Sequence, residues 1–288
     1  MVCRKSFSFK NKKLRLLKEE KIFGKWLKKR TANQLSEDCH CSKKKIFRII
    51  NHHLCQNSLS NKIDLHLVRN LIFDGSFLEG RKLSVVILIN AQNKKPIAFS
   101  FRVRETVKDE VGSFLLRLKG FGLNPQSITI DGLKTVSMAF KEVWPEIIVQ
   151  RCLFHVQKQG LMWCRRYPKS IEARKLKEIF REIFLIEDYQ SKKLFIEKIL
   201  SWEQKYGNKI AINSSNGWVM SDLKRARSML LKALSDMFHF LDYPQIPNTS
   251  NCAESFFSKL KENLKIHRGL TKEKRLYLIK HIIRLCQK

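Results

Sequence analysis

Two acidic residues stand directly after short apolar runs and could carry out chemistry together. Asp74 follows the apolar residues 71–73, Asp131 follows residues 128–130, and a glycine comes after each aspartate. An Asp-Gly pair is a common turn signal, so either pair alone indicates only a turn. If the two runs are neighbouring strands, however, the carboxylates lie side by side. Close carboxylates raise each other's pKa unless a cation neutralises them, and Mg²⁺ prefers such oxygen ligands.

A third acid would complete a site for phosphodiester chemistry. Two metal ions about 3.5–4 Å apart can hold both the attacking and the leaving oxygen of a phosphodiester. Glu254, in a segment that follows a proline-containing loop, is the candidate third ligand. It also has a structural interpretation, as the last residue of a capping box that starts at the N-cap Asn251. A helix that starts near the sheet edge would satisfy both interpretations, and spacing does not decide between them.

Cys152 and His155 form a Cys-x-x-His pair just after the last predicted strand. The structural interpretation is a buried thiol at a strand end with a histidine near the sheet. A structural zinc site is disfavoured because it needs four ligands and the sequence offers no second pair of ligands.

The elements that must position these residues follow a recognisable order. Residues 66–152 alternate strand and helix signals as β-β-β-α-β-α-β, which predicts a mixed α/β sheet of the ribonuclease H-like kind. The first strand should end at Asp74, and the first and fourth strands should be sheet neighbours. Residues 156–243 carry only helical periodicity and predict a long all-helical insertion. A helix over 252–264 and a last helix capped by Thr271, within a C-terminal segment 271–288, follow.

Residues 1–60 predict a small, basic, helical domain. A helix over residues 12–30 would place its apolar side chains on one stripe, namely Leu14, Leu17, Ile22, Trp26 and Leu27. Residues 31–53 predict two short helices with a turn at His40-Cys41 and with Ser42 as the cap of the second helix.

These two short helices resemble a helix-turn-helix. Its buried positions would be Leu35, Cys39, Cys41, Ile46 and Ile49. The second helix would then present six side chains to phosphates and base edges of double-stranded DNA, namely Lys43, Lys44, Lys45, Arg48, Asn51 and His52. The turn of this motif usually holds glycine, whereas this chain has His40, and an ordinary basic helical hairpin is the alternative.

The charge of the chain also favours nucleic acid as a partner. The 288 residues include 57 Lys and Arg against 26 Asp and Glu, a net charge of +31. Phosphate neutralisation supplies most non-specific affinity for nucleic acid. No apolar run approaches the roughly 20 residues of a spanning helix, and the charge is not confined to one amphipathic helix, so a membrane partner is disfavoured. No secretory signal is visible, and the eight cysteines are expected to be reduced thiols inside the cell.

Four ordered motifs resemble the DDE transposases of the Mutator-like superfamily and their bacterial insertion-sequence relatives. The motifs are Asp74-Gly75-Ser76-Phe77, Ile130-Asp131-Gly132, Cys152-Leu153-Phe154-His155 and the segment 249–255 around Glu254. The resemblance covers residues 66–270 and implies that Asp74, Asp131 and Glu254 are the catalytic, metal-binding triad. It also implies Mg²⁺ as the cofactor, with Mn²⁺ as a substitute, and assigns Cys152 and His155 supporting roles.

The resemblance carries three further expectations. An aromatic residue of the insertion stacks on a displaced base in related transposases; Trp218 is the candidate here, Trp163 is a rival, and core packing is the structural alternative. Cys3 resembles the last part of a zinc ribbon, which suggests a chain that continues upstream. The protein is expected to act as a homo-oligomer on paired DNA ends, in the cytoplasm and on the nucleoid if it is bacterial.

The sequence therefore predicts a DNA transposase that cleaves element ends and transfers strands in a metal-dependent reaction. Two alternatives stay open. One is a transposase-derived DNA-binding protein that is truncated or no longer cuts, and the other is a structure-specific nuclease without strand transfer. Magnesium-dependent nicking distinguishes the first alternative from the prediction.

Overall fold

The chain folds into two units in its computed structural model. The alternating strand and helix pattern forms one of them, and helical patterns form the other. The structure describes residues 10–56, 63–78, 83–212 and 218–287. One unit is Ile63–Ser255, and the other combines the described chain before it with the described chain from Phe256 onward. Among the described residues, no helix is both long and apolar enough to cross a membrane.

A five-stranded sheet forms the centre of the larger unit. Its spatial order is β3-β2-β1-β4-β5, with the first three strands antiparallel and with β1, β4 and β5 parallel. The predicted mixed α/β sheet is confirmed, and so is the predicted contact between the first and fourth strands. The strands are β1 (Asn70–Leu78), β2 (Leu83–Asn90), β3 (Pro96–Phe101), β4 (Ser127–Ile130) and β5 (Ile148–Arg151).

The prediction that the first strand ends at Asp74 is wrong. Strand β1 continues through Asp74 to Leu78 because β2 stays paired with it, from Asp74 opposite Ile87 to Leu78 opposite Leu83. The parallel pairing of β1 with β4 stops earlier, at Ile72. Asp74 therefore lies within the β1–β2 hairpin and just past the end of the parallel β1–β4 pairing. Its Asp-Gly pair is part of a strand and does not form a turn.

Two helices pack their apolar stripes on the sheet. They are α4 (Lys108–Gly120) and α5 (Lys134–Val143), each of which connects strands that run parallel. Side chains such as Phe114 and Phe140 share one core with Phe73 and Ile128 of the sheet. Burial of this apolar surface fixes the strand ends in space, since each large side chain contributes about 1.5–3 kcal/mol.

The helical insertion has a core of its own. It begins at Leu153, three residues earlier than the sequence indicated, and its core residues run from Leu153 to Phe238. The Trp202 indole N–H donates to the carbonyl of Glu172 at 3.0 Å within this core. The helices are α6 (Leu153–Cys164), α7 (Ile171–Glu182), α8 (Tyr189–Trp202), α9 (Asn208–Ile212), α10 (Trp218–Ala233) and α11 (His239–Asp242).

The smaller unit is helical. Buried histidines tie its helices together, because His267 donates to the Trp26 carbonyl at 3.2 Å and His281 donates to the Leu54 carbonyl at 3.1 Å. Desolvation by burial lowers the pKa of both imidazoles. The helices are α1 (Lys10–Leu27), α2 (Ala32–Asp38), α3 (Lys43–Cys55), α12 (Asn251–Ile266), which starts in the larger unit, and α13 (Lys272–Gln287).

Several predictions for the helices are confirmed. Helices α2 and α3 are separated by a turn, and the Ser42 hydroxyl accepts from the Lys45 N–H as the cap of α3. The Thr271 hydroxyl accepts from the Lys274 N–H at 3.4 Å at the start of α13.

Other features of the smaller unit differ from simple expectation. On the apolar stripe of α1, Leu14 and Leu17 are 57% and 47% exposed. Buried side chains near the end of α1, among them Phe23 and Trp26, contact other helices. Of the expected buried positions of the helix pair, Leu35, Ile46 and Ile49 are buried. Cys39 and Cys41 lie in the turn and are only half-buried. The zinc-ribbon expectation for Cys3 lies outside the described residues.

His40 offers a test of the turn between α2 and α3. Its φ is 45°, in the left-handed region that a β-carbon disfavours, and its side chain is exposed. We expect His40→Gly to raise the unfolding free energy of this unit by about 1 kcal/mol. As the matched control, Glu37→Gly within α2 should lower it by about the same amount. Thermal unfolding measures both, and a lower Tm for His40→Gly would contradict the assignment.

Candidate active site

The two predicted aspartates stand in register on neighbouring strands. Parallel pairing joins Ile72 of β1 to Thr129 of β4, and Asp74 and Asp131 each lie two residues further along. Because side chains alternate along a strand, both aspartates point to the same side of the sheet edge. The structure therefore brings the first two acids of the predicted triad together.

Backbone amides hold one oxygen of each aspartate. The Gly75 N–H donates to Asp74 Oδ1 at 2.9 Å, and the Leu133 N–H donates to Asp131 Oδ1 at 2.9 Å. Burial is the main reason that the pKa of Asp74 is raised to about 7, and the negative charges of Asp131 and Glu254 add to that rise. This coupling indicates that all three acids of the predicted triad share one electrostatic environment.

Glu105 is a fourth carboxylate at this site, and sequence reasoning missed it. Its carboxylate lies against Gly75, where a β-carbon would collide with it. Burial first, and then Asp131 and Asp74, raise the pKa of Glu105 to about 8. Within the described part of the chain, the structure gives this carboxylate no hydrogen bond and no ion pair. Glu105 lies in a polar connection between β3 and α4, and no pattern in that segment distinguished it.

Glu254 projects from the first turns of α12 toward α6. Its Oε1 lies 3.3 Å from His155 Nε2 and 3.5 Å from Lys158 Nζ. The capping-box interpretation is wrong, because α12 begins at Asn251 rather than after it, and because the Glu254 carboxylate contacts side chains of α6 instead of a backbone N–H. The Glu254 carboxylate therefore does not cap α12. Its interpretation as a member of the triad requires this.

Cys152, His155 and Ser250 form a hydrogen-bonded cluster behind Glu254. Cys152 Sγ lies 3.2 Å from His155 Nδ1 and accepts from the N–H and hydroxyl of Ser250 at 3.2 and 3.3 Å. Burial alone would raise the thiol's pKa, but the hydrogen bonds of His155 and Ser250 outweigh burial and lower it. The hydrogen bond with Cys152 is the main cause that raises the pKa of His155. The cluster orients the His155 ring so that its second nitrogen meets Glu254.

The chemistry of the donors suits a hard cation, although a complete cage is not formed. Asp74, Asp131 and Glu254 offer carboxylate oxygens, which Mg²⁺ and Mn²⁺ take as ligands. Burial first, and then neighbouring negative charge, raise the pKa values of Asp74 and Glu105, and a cation would relieve the repulsion between the carboxylates. As the described side chains stand, no three His, Cys, Asp or Glu residues are grouped closely enough to hold a metal ion.

The predicted DNA-contacting residues of α3 are largely exposed to solvent. Five of the six are exposed, and Asn51 is half-buried. Among the aromatic candidates, Trp163 packs partly buried against the core of the insertion. Trp218 is the first residue of α10, and its side chain is outside the described residues.

The cluster around Cys152 predicts a specific loss of stability. Cys152→Ala leaves the buried Ser250 N–H without an acceptor and should cost about 1–3 kcal/mol beyond the loss of packing. Cys164→Ala is the matched control, because that thiol is also buried but packs in the apolar core of the insertion. In urea unfolding, the midpoint of Cys152→Ala should lie below that of Cys164→Ala. The midpoint of Cys152→Ser should lie between those of Cys152→Ala and wild type. Equal midpoints for the two alanine variants would contradict the role of the thiol.

The family of the chain follows from comparison with known sequences. The sequence profile described as "Transposase, Mutator family" matches residues 72–270, which include both aspartates, the helical insertion and Glu254. No curated protein gives a significant match over the chain. Because the profile matches more than half of the sequence, the chain belongs to the Mutator family of transposases.

Proposed function

We propose that this transposase cleaves DNA at element ends and joins the freed ends to new DNA in a DDE-type reaction. The observation that carries the proposal is the register of Asp74 and Asp131, side by side at the end of the β1–β4 pairing. The strand order and the position of the helical insertion support a ribonuclease H-like catalytic domain. The two reactions are hydrolysis of a phosphodiester by water and attack of the resulting 3′-hydroxyl on a second phosphodiester.

Asp74, Asp131 and Glu254 would hold Mg²⁺, or Mn²⁺ in its place. When bound, the cations supply Lewis-acid stabilisation of the phosphoryl oxygens and activate the attacking hydroxyl. Each aspartate keeps one oxygen on a backbone amide, which fixes its rotamer and leaves its other oxygen available. Side-chain rotation of Glu254 toward the aspartates is part of the proposal, because the described side chains form no three-ligand group.

His155 and Lys158 have positioning roles in this proposal. His155 contacts Glu254 through Nε2 while Cys152 and Ser250 engage its Nδ1, so the ring is held from both ends. A fixed ring limits the rotamers that Glu254 can adopt, which is how supporting residues increase the precision of a catalytic carboxylate. Lys158 adds a positive charge 3.5 Å from the same carboxylate oxygen.

The exposed face of α3 is proposed to bind double-stranded DNA in the manner of a helix-turn-helix. Support comes from the two-helix arrangement and from the exposure of the basic side chains of α3. A homo-oligomer that acts on paired element ends, and a location on the nucleoid in a bacterial cell, belong to the same proposal.

Loss of the triad should abolish cleavage and leave DNA binding intact. Asp74→Asn, Asp131→Asn and Glu254→Gln should each lower Mg²⁺-dependent nicking by at least about 10³-fold, because each removes a carboxylate that would hold the cation at the reacting phosphate. The exposed Asp109→Asn in α4 is the matched control and should nick normally. Nicking of supercoiled plasmid and gel-shift binding are measured in parallel. Normal nicking by any one triad variant excludes that residue, and wild-type binding without nicking favours the non-cutting alternative.

Binding should depend on the exposed face of α3. Arg48→Ala should weaken binding to element-end DNA by about 1–3 kcal/mol, as expected for a residue that contacts a base edge. Lys272→Ala, at the exposed start of α13, removes one charge from the same unit and is the control. Fluorescence anisotropy at fixed salt measures both variants. An equal loss of binding affinity for the two variants would indicate that only the removed charge matters. It would contradict base-edge contacts by α3.

A further inference from the structure

A small cationic cavity lies directly beside Asp131 and is not used by the chemistry described above. The cavity has a volume of about 310 Å³ and is bounded by β4, β5, α5 and α10. Its volume is at the small end of the roughly 300–1,000 Å³ typical of ligand pockets. Gly132, the residue after the second aspartate, forms part of its wall. We call this cavity the Arg151 pocket, after the arginine in its lining.

The guanidinium of Arg151 lies over Gly132 in a place that only glycine leaves open. A β-carbon on Gly132 would collide with the Arg151 side chain, and the φ of Gly132 is +87°. The Nε of Arg151 is buried and has no hydrogen-bond partner in the described structure. A buried donor without a partner is uncommon in folded proteins. The side chain as a whole is half-buried and lines the cavity, so an anion bound there can pair with its charge.

The remaining charges of the pocket are also mainly positive. Lys134 and Lys232 line it with exposed side chains, and no ion pair is recorded for either within the described residues. Asp236 is the one acidic residue of the lining in the described part of the chain, and its charge acts on Arg151. Helix α5 begins at Lys134 with no side-chain cap and no acidic residue in its first turn. Its positive dipole end therefore adds to the three cations.

The lining distinguishes a phosphate from other ligands. Among the described residues, no aromatic side chain lines the pocket, so the described lining offers a base nothing to stack on. Arg and Lys side chains with the Ser137 hydroxyl are donors, and a tetrahedral anion with several acceptor oxygens matches them. A large apolar ligand would leave these donors unsatisfied.

We propose that the Arg151 pocket binds one non-reacting phosphate of the DNA backbone, next to the phosphodiester at Asp131. This inference rests on the proposed function only in taking DNA as the ligand. Phosphate contacts fix the register of a protein on DNA without reading its sequence. A phosphate held between α5 and α10 would fix the position of the DNA strand relative to the carboxylates. It would thereby determine which phosphodiester bond lies at Asp131.

The test compares two double variants that remove equal charge from the same two helices. Lys134→Gln with Lys232→Gln alters the pocket, whereas Lys141→Gln with Lys224→Gln alters α5 and α10 outside its lining. All four lysines are on the surface or half-buried, so both proteins should fold, and thermal unfolding checks this. Binding to a short DNA duplex is measured without divalent cation between 50 and 200 mM NaCl.

The salt dependence of binding reports the number of phosphates contacted. Loss of one phosphate contact should reduce the slope of log K against log salt concentration by about 0.9. We expect this reduction for the pocket variant and an unchanged slope for the control variant. Equal slopes for the two variants would overturn the proposal. Nicking by wild type on the same DNA is scored separately, so failure of the chemistry and failure of the pocket give different results.

A second arm distinguishes backbone phosphate from a free anion. Inorganic phosphate is compared with chloride at equal ionic strength in thermal unfolding of wild type and pocket variant. A slope change without a phosphate-specific rise in Tm supports a DNA phosphate. A phosphate-specific rise in Tm in wild type alone, with no slope change, indicates a free-anion site and overturns the DNA assignment. Absence of both effects overturns the pocket as an anion site.

Discussion

The parallel pairing of β1 with β4 is the constraint on which the candidate site depends. It sets Asp74 and Asp131 in register, two residues past the last paired positions Ile72 and Thr129. A slip of one residue would turn one aspartate to the opposite face of the sheet, because side chains alternate with a period of two. The apolar core of the sheet and its two helices maintains this register, since a slip would also expose buried side chains such as Phe73 and Ile128.

That arrangement concentrates negative charge in a chain that is otherwise strongly positive. Asp74 and Glu105 have pKa values of about 7 and 8, and their shared cause is burial followed by repulsion from neighbouring carboxylates. The net charge of +31 draws an anionic polymer to the protein, whereas the acids repel it locally. The divalent cation that we propose would resolve that conflict. Arg151 and Lys158 supply fixed positive charge at the edges of the acid cluster.

Much of the fold and part of the site could be predicted because they depend on local patterns. The strand order, the β1–β4 contact, the helical insertion and the Ser42 cap all follow from periodicity and turn chemistry. Glu105 and Arg151 could not be found in this way, since their proximity to the aspartates depends on tertiary packing. The exposure of Leu14 and the continuation of β1 past Asp74 also depend on tertiary contacts. A local pattern shows which structure a residue favours, but the packing and pairing of neighbouring elements decide whether it is buried and where its strand ends.

We propose that the carboxylates at the end of the β1–β4 pairing form one divalent-cation site on DNA. Electron paramagnetic resonance of Mn²⁺ tests it most directly, by counting the ions that the wild-type protein and the Asp131→Asn variant bind in the presence of duplex DNA. We expect saturable binding by wild type, and either no binding or binding at least about tenfold weaker by the variant. Equal Mn²⁺ binding by the two proteins would show that the ion is held elsewhere and would exclude this site.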